Sequence, residues 1–281
     1  MDLLVSPQWL AAELGAADLR ILDATSFLPG TPRDPEAEFR AAHIPGALYL
    51  DLNSLNDPDD PRPAMVPSNA QFAARMAQLG VSDSDRIVIY DNSPLASSGR
   101  AWWLMRLFGA RSVAILDGGL ARWIAEGLPT ESGESAPVPG GHFAAAKDEA
   151  QVRDKAQMLA NIESCAAQVV DARGASRFAG EDPEPRPGMA AGHIPGSVNL
   201  PTGQLLDADG RWKQGDAMRA AFESAGVDLD RPLIMTCGSG VTACNLLFGA
   251  ALLGKGDVAI YDGSWSEWGA DPALPKATGA A

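Results

Sequence analysis

Phe39-Arg-Ala-Ala-His43-Ile-Pro-Gly46 in the first half of the chain returns as Met189-Ala-Ala-Gly-His193-Ile-Pro-Gly196 in the second, 150 residues later. Around these two stretches the chain keeps matching itself. Arg20-Ile-Leu-Asp23-Ala24 pairs with Gln168-Val-Val-Asp171-Ala172 at an offset of 148. Arg86-Ile-Val-Ile-Tyr-Asp91 pairs with Pro232-Leu-Ile-Met-Thr-Cys237 at 146, and Ala114-Ile-Leu-Asp117-Gly-Gly with Ala259-Ile-Tyr-Asp262-Gly-Ser at 145. Four correspondences in one order, drifting by only five residues, mark a duplicated domain.

Within each copy, short β-branched runs alternate with helical patterns, as where Ile87-Val-Ile-Tyr90 precedes Gly99-Arg-Ala-Trp-Trp-Leu-Met-Arg-Leu-Phe108. This alternation predicts an α/β fold: two tandem domains, each a mostly parallel sheet flanked by helices, with chemistry at the carboxyl ends of strands. A length of 281 residues suits two cores. The Ser-, Gly- and Pro-rich stretch from Glu131 to Gly141 predicts the junction, giving a first domain over 1–135, a linker over 136–160 and a second domain over 161–281. With 46% hydrophobic and 21% charged residues the chain is globular, and no apolar run reaches the ~20 residues of a membrane span. Neither a basic leader nor a signal core opens the sequence, so a soluble cytoplasmic protein is expected. The net charge is −14, with ten cations against eighteen anions before residue 141 and twelve against eighteen after it. So even an acidity argues against nucleic acid or a membrane surface as partner, and an anionic substrate would need a few placed cations. Three cysteines, Cys165, Cys237 and Cys244, form no metal-ligand cluster and point to a reducing compartment.

The copies differ where the chemistry should lie. After the matched strand the first reads Asp91-Asn-Ser-Pro-Leu-Ala96 and the second Cys237-Gly-Ser-Gly-Val-Thr242, leading into an apolar helix over Thr242–Leu253. Cys237 then sits at a strand end facing a helix N-terminus, and its two glycines let consecutive N–H groups turn toward the sulfur. Such a field favours thiolate over thiol and makes a nucleophile. Cys244 and Cys165 read instead as buried small hydrophobes, and Trp102, Trp103 and Trp123 as core. A cysteine phosphatase would carry an arginine six residues after its nucleophile; Ala243 stands there, which weakens that reading.

Taken together, these residues resemble the rhodanese-type sulfurtransferases over nearly the full length. Phe39 to Leu50 is similar to the family's N-terminal signature and Tyr261-Asp-Gly-Ser-Trp-Ser-Glu-Trp268 to its C-terminal one. The resemblance implies an inactive first domain and a catalytic second one. Cys237-Gly-Ser-Gly-Val-Thr-Ala243 is similar to the loop of the mercaptopyruvate-using branch, whereas thiosulfate-using relatives carry Arg-Lys at the places of Gly238-Ser239. A thiosulfate dianion needs cations beside the attacked sulfur, while mercaptopyruvate carries its charge on a carboxylate some bonds away. Arg177 and Arg186 match the branch's two substrate-binding arginines, whose planar forks suit a carboxylate and adjoining keto oxygen; the other reading is solvated charges balancing Glu181, Asp182 and Glu184. Arg173 is expected to pair with Asp171, and His193 to serve the fold. For His43 the resemblance raises a relay with Ser239 and Asp34. The implied reaction moves sulfur through a Cys237 persulfide, stabilised by the N–H groups of Gly238, Ser239, Gly240, Val241 and Thr242, to a thiol, thioredoxin-like or small, or to cyanide. No metal and no organic cofactor is implied. The competing expectations are a thiosulfate:cyanide sulfurtransferase and a non-catalytic sulfur-binding module.

Overall fold

The apolar runs of both copies become strands, and the two copies have one element order in the computed structural model, which describes residues 1–135 and 140–280. The first copy runs β1 (Leu4–Val5), α1 (Pro7–Glu13), β2 (Leu19–Asp23), α2 (Pro35–Ala41), β3 (Ala47–Tyr49), α3 (Asn69–Gln78), β4 (Arg86–Tyr90), α4 (Ser98–Leu107), β5 (Ser112–Leu116) and α5 (Gly119–Ala125). The second runs β6 (Val152–Arg153), α6 (Lys155–Ser164), β7 (Gln168–Asp171), α7 (Ala175–Ala179), β8 (Val198–Asn199), α8 (Gly215–Ser224), β9 (Leu233–Thr236), α9 (Ala243–Leu252), β10 (Val258–Tyr261) and α10 (Ser264–Trp268). The sheet orders are β1-β5-β4-β2-β3 and β6-β10-β9-β7-β8, and every pairing is parallel. Central strands of such sheets are covered on both faces, which is why β4 and β9 read as unbroken apolar runs.

The duplication extends to single hydrogen bonds. In the first copy His43 bridges antiparallel to Glu131, its ring stacks on Phe39 at 4.1 Å, and its Nδ1 lies 2.8 Å from the Phe39 carbonyl. In the second, His193 bridges to Ala277, stacks on Phe178 at 3.7 Å and sets its Nδ1 2.8 Å from the Phe178 carbonyl. Each histidine therefore ties the stretch after the last helix of its copy back to the segment that leads into an edge strand, β3 or β8. Trp102, Trp103 and Trp123 are buried in the first copy, as expected.

The chain divides into two units, Met1–Asp57 with Val66–Asp148, and Pro58–Met65 with Glu149–Ala281. Of the expected linker over 136–160, residues 136–139 lie outside the described ones, and the remainder is not linker. Ala146 and Asp148 donate backbone hydrogen bonds to Phe108 and Leu107, and Phe143 packs at the edge of Phe72, so this stretch belongs to the first unit. Val152–Arg153 is an edge strand of the second sheet, and α6 begins at Lys155 behind a reciprocal cap between Asp154 and Gln157. A two-residue strand has too short a pattern to show period two, but the Asp-x-x-Gln cap was readable. Pro58–Met65, although it lies in the first half of the sequence, belongs to the second unit.

Candidate active site

Cys237 follows β9 and is 1% exposed, with its Sγ accepting the Gly240 N–H at 3.1 Å. Gly240 has φ +79°, a backbone conformation that favours glycine, and its turn brings that N–H back onto the sulfur. The two carbonyls ahead of the turn are held by α10: Trp265 N–H donates to Cys237 O and Ser266 N–H to Gly238 O, both at 2.9 Å. A trans peptide sets its carbonyl and the following N–H on opposite sides, so the N–H groups of Gly238 and Ser239 face away from α10. Among the described residues, the N–H groups of Gly238, Ser239, Val241 and Thr242 meet no protein acceptor, and neither does the half-buried Ser239 hydroxyl. The loop thus offers one amide already on the sulfur and four more without a partner, which is the donor set of an anion nest.

Ser264, at φ +48° and fully buried, adds a support that sequence reasoning missed. Its Oγ accepts the Cys237 N–H at 3.3 Å and donates to Tyr261 O at 2.9 Å. The signal was in the repeat, where Gly119, at φ +55°, stands in its place. Cys244 lies buried in α9 and its thiol donates to Gly240 O at 3.1 Å, bracing the turn. Cys165, expected in the core, is instead exposed. It caps α6 in the left-handed conformation, where the helix ends at the surface.

The cations divide by partner. Arg173 is buried and bound to Asp171 (Nη2–Oδ2 2.7 Å), to Glu184 and to the Gly192 carbonyl, with its guanidinium 4.5 Å from the Trp265 ring centroid. Arg177, on α7, shares that Glu184 at 2.5 Å, yet its Nη2 lies 3.4 Å from where a Cβ on Gly238 would stand. One of the charges the other reading assigned to it, Glu184, is therefore its partner, while Asp182 accepts from Ser176. Arg186 has no carboxylate partner among the described residues; its Nη1 donates to Ser266 Oγ at 2.7 Å, and that hydroxyl donates to Gly238 O at 2.6 Å. Two arginines nine positions apart in sequence thus converge on Gly238, the residue after the thiol.

His43 and Asp34 lie in the first unit and are occupied there. Beyond the Phe39 carbonyl, the His43 ring meets Ser135 Oγ at 3.2 Å through Nε2. Asp34 caps α2, accepting from Glu36 and Ala37 N–H at 3.0 and 3.1 Å.

In the first unit the equivalent loop is built differently. The Asp91 carboxylate accepts Ser93 N–H at 2.9 Å and Ser98 N–H at 2.8 Å, and burial pushes its pKa up against those bonds. Pro94 stands where the second unit has Gly240, so the amide that reaches Sγ has no counterpart.

The rhodanese-like domain family matches residues 6–126 and again 154–271. The 3-mercaptopyruvate sulfurtransferase of Rattus norvegicus is 45% identical over 271 residues, covering 94% of this chain and 91% of that protein. The thiosulfate sulfurtransferase of Bos taurus is 43% identical over 272 residues with the same coverage. The crystal structure of SseA from Escherichia coli, described under 3-mercaptopyruvate sulfotransferases, superimposes with a TM-score of 0.86 at 39% identity, covering 95% of this chain and all of that one.

Proposed function

Since this chain belongs to the rhodanese-like domain family, in both of its halves, we propose that it is a sulfurtransferase taking sulfur from 3-mercaptopyruvate through a persulfide on Cys237. The observation that carries this reading is the convergence of Arg177 and Arg186 on an uncharged Cys237-Gly-Ser-Gly loop. Cationic charge lies beside the thiol-bearing turn, on side chains that can hold a carboxylate, and none is carried by the loop itself.

The Cys237 thiolate attacks the sulfur of the donor. A sulfur–sulfur bond forms, the donor's carbon–sulfur bond breaks, and its electron pair passes to the carbon beside the keto group, leaving pyruvate as its enolate. Arg186, which has no acidic partner among the described residues, and Arg177 hold the carboxylate and the keto oxygen on which negative charge grows. The Ser239 hydroxyl polarises the departing group, and a proton from solvent completes pyruvate. The loop N–H groups from Gly238 to Thr242 stabilise the persulfide anion. A thiolate acceptor, small or thioredoxin-like, then attacks the outer sulfur and Cys237 leaves as thiolate, so the kinetics are double-displacement. His43 and Asp34, held by partners of their own, are given no proton to carry in this scheme. Three cysteines with no disulfide fit a reducing compartment, and the cytoplasm is the location we propose; no helix among the described residues is long and apolar enough to cross a membrane.

The decisive experiment is a donor panel in which pyruvate release, sulfur delivered to a thiol, and the mass of the protein after each donor are followed side by side. Mercaptopyruvate should give one sulfur atom on Cys237 and one pyruvate per turnover. A larger kcat/KM for thiosulfate would make the protein a thiosulfate sulfurtransferase, and no sulfur loaded from any donor would make it a binding module.

A further inference from the structure

We infer that Ser266 is a positioning residue that locks the substrate-binding Arg186 to the loop bearing Cys237, so that the carboxylate of the donor and the attacked sulfur are held in one fixed relation. The inference rests on the proposed role of Arg186 and adds to it.

The valences leave one arrangement. A guanidinium only donates, so Arg186 Nη1 gives its proton to Ser266 Oγ. The single hydroxyl proton then goes to Gly238 O at 2.6 Å, and the Ser266 N–H fills the second lone pair of the same carbonyl at 2.9 Å. Two groups of one residue therefore fix the carbonyl of the residue after the nucleophile, and the hydroxyl extends that hold to the arginine. Arg173 and Arg177 are oriented by Glu184, but among the described residues Ser266 is the side chain that orients Arg186. Where two reacting groups must meet within a few tenths of an ångström, a cation swinging free on a long side chain would hold the carboxylate without aiming the sulfur. A hydroxyl does this without cancelling the charge, as a carboxylate partner would.

The first unit shows that the fold does not need this hydroxyl. Its equivalent position is Ala121, in Gly119-Leu-Ala-Arg-Trp123. There Leu120 N–H still donates to Asp91 O at 3.1 Å, as Trp265 N–H does to Cys237 O, so one of the two backbone braces is kept where there is neither thiol nor side-chain hydroxyl; among the described residues Ala121 N–H makes no bond to match that of Ser266 N–H with Gly238 O. The hydroxyl goes with the chemistry, and Ser266→Ala has a folded precedent within the same chain.

The test is a double-mutant cycle of Ser266→Ala and Arg186→Gln on the full-length protein, with Ser266→Thr as the variant that keeps the hydroxyl. Pyruvate release from mercaptopyruvate is measured under steady state, and discharge of a preloaded persulfide to a thiol in single turnover. Ser266→Ala should lower kcat/KM for mercaptopyruvate about tenfold, the scale of a charge-assisted hydrogen bond, with most of the loss in KM. Discharge should lose less, Ser266→Thr should recover most of the loss, and the alanine should add little once Arg186 is glutamine. If both single variants are impaired and their losses multiply, Ser266 does not act through Arg186 and the inference is overturned while the substrate role of Arg186 stands. If Arg186→Gln alone leaves mercaptopyruvate turnover unchanged, that role falls, and the inference with it.

Discussion

Cys237 and Asp91 stand at the same point of two copies of one fold, and what surrounds each decides what it does. The thiol receives an amide from Gly240; the carboxylate takes the amides of Ser93 and Ser98 for itself. Cys237→Ser should abolish sulfur loading and leave the fold unchanged, since little volume is lost, and transfer by that variant would sink the persulfide route. Cys244→Ser should still transfer, because a serine hydroxyl can also donate to Gly240 O. Asp23 makes a separate prediction about pH. Burial pushes its carboxyl up to about 6, even though Thr25 and Tyr90 donate to it. Unfolded, it titrates near 3.9, so between about pH 4 and 6 the folded form keeps a proton the unfolded form has lost. Its contribution to stability is therefore full below about pH 4 and falls as pH rises through 6. Relative to Asp23→Asn, which does not titrate, the wild-type protein should lose about 3 kcal/mol between pH 4 and 7, read from denaturant unfolding at each pH. A difference that stays flat across that range would mean Asp23 is ionised throughout in the folded protein.

At the scale of elements, the site is a loop after β9 held by the first turn of α10, with α7 supplying Arg177 beside it. The loop's lack of charge is open to direct test, because Gly238 does not require glycine: its φ lies outside the left-handed region, and a Cβ there meets Arg177 Nη2 at an ordinary 3.4 Å. In Gly238→Arg with Ser239→Lys, thiosulfate activity should rise and mercaptopyruvate activity fall together. Cations at the sulfur end stabilise a dianion and its sulfite leaving group, and also draw the mercaptopyruvate carboxylate away from Arg177 and Arg186. The measurement is kcat/KM for both donors at low and high salt. A folded double variant whose donor ratio does not move toward thiosulfate would show that loop charge is not the determinant. Gly119 and Ser264, both at positive φ, stand at equivalent strand-to-helix turns beside Asp91 and Cys237 respectively: a Cβ on Gly119 would lie 2.2 Å from Asp91 O. The first unit therefore keeps a glycine where the second spends its side chain on the Cys237 N–H.

For the molecule as a whole, the fold is doubled and the thiol at the end of its fourth strand is not, which makes the first unit a control for the proposed chemistry. In Asp91→Cys combined with Cys237→Ser, the new thiol should take up no sulfur from mercaptopyruvate, by protein mass spectrometry, because Pro94 leaves no N–H where Gly240 has one. Sulfur found on residue 91 would mean that a cysteine at a strand end suffices without the nest. The repeat and the parallel α/β fold were legible in the sequence, as was the choice of Cys237 with its glycine loop, Arg177 and Arg186 as candidates for the site. They rest on patterns local to a few residues: period, turn glycines, and the contrast between two aligned copies. The unit boundaries were less so, because β6 is two residues long and Pro58–Met65 belongs with residues that lie about a hundred positions further on. The pairing of Arg173 with Asp171, two residues apart, was expected and is observed, but the longer-range charge partners were not legible. Glu184 is one of three neighbouring acids, and only the folded chain selects it for Arg173 and Arg177 while leaving Arg186 to a serine 80 residues away. Local sequence determines what a strand, turn or nest can be, since those depend on the backbone of adjacent residues. Partners brought together by long-range packing are decided by tertiary structure, because a side chain's environment is set by whatever the fold carries to it.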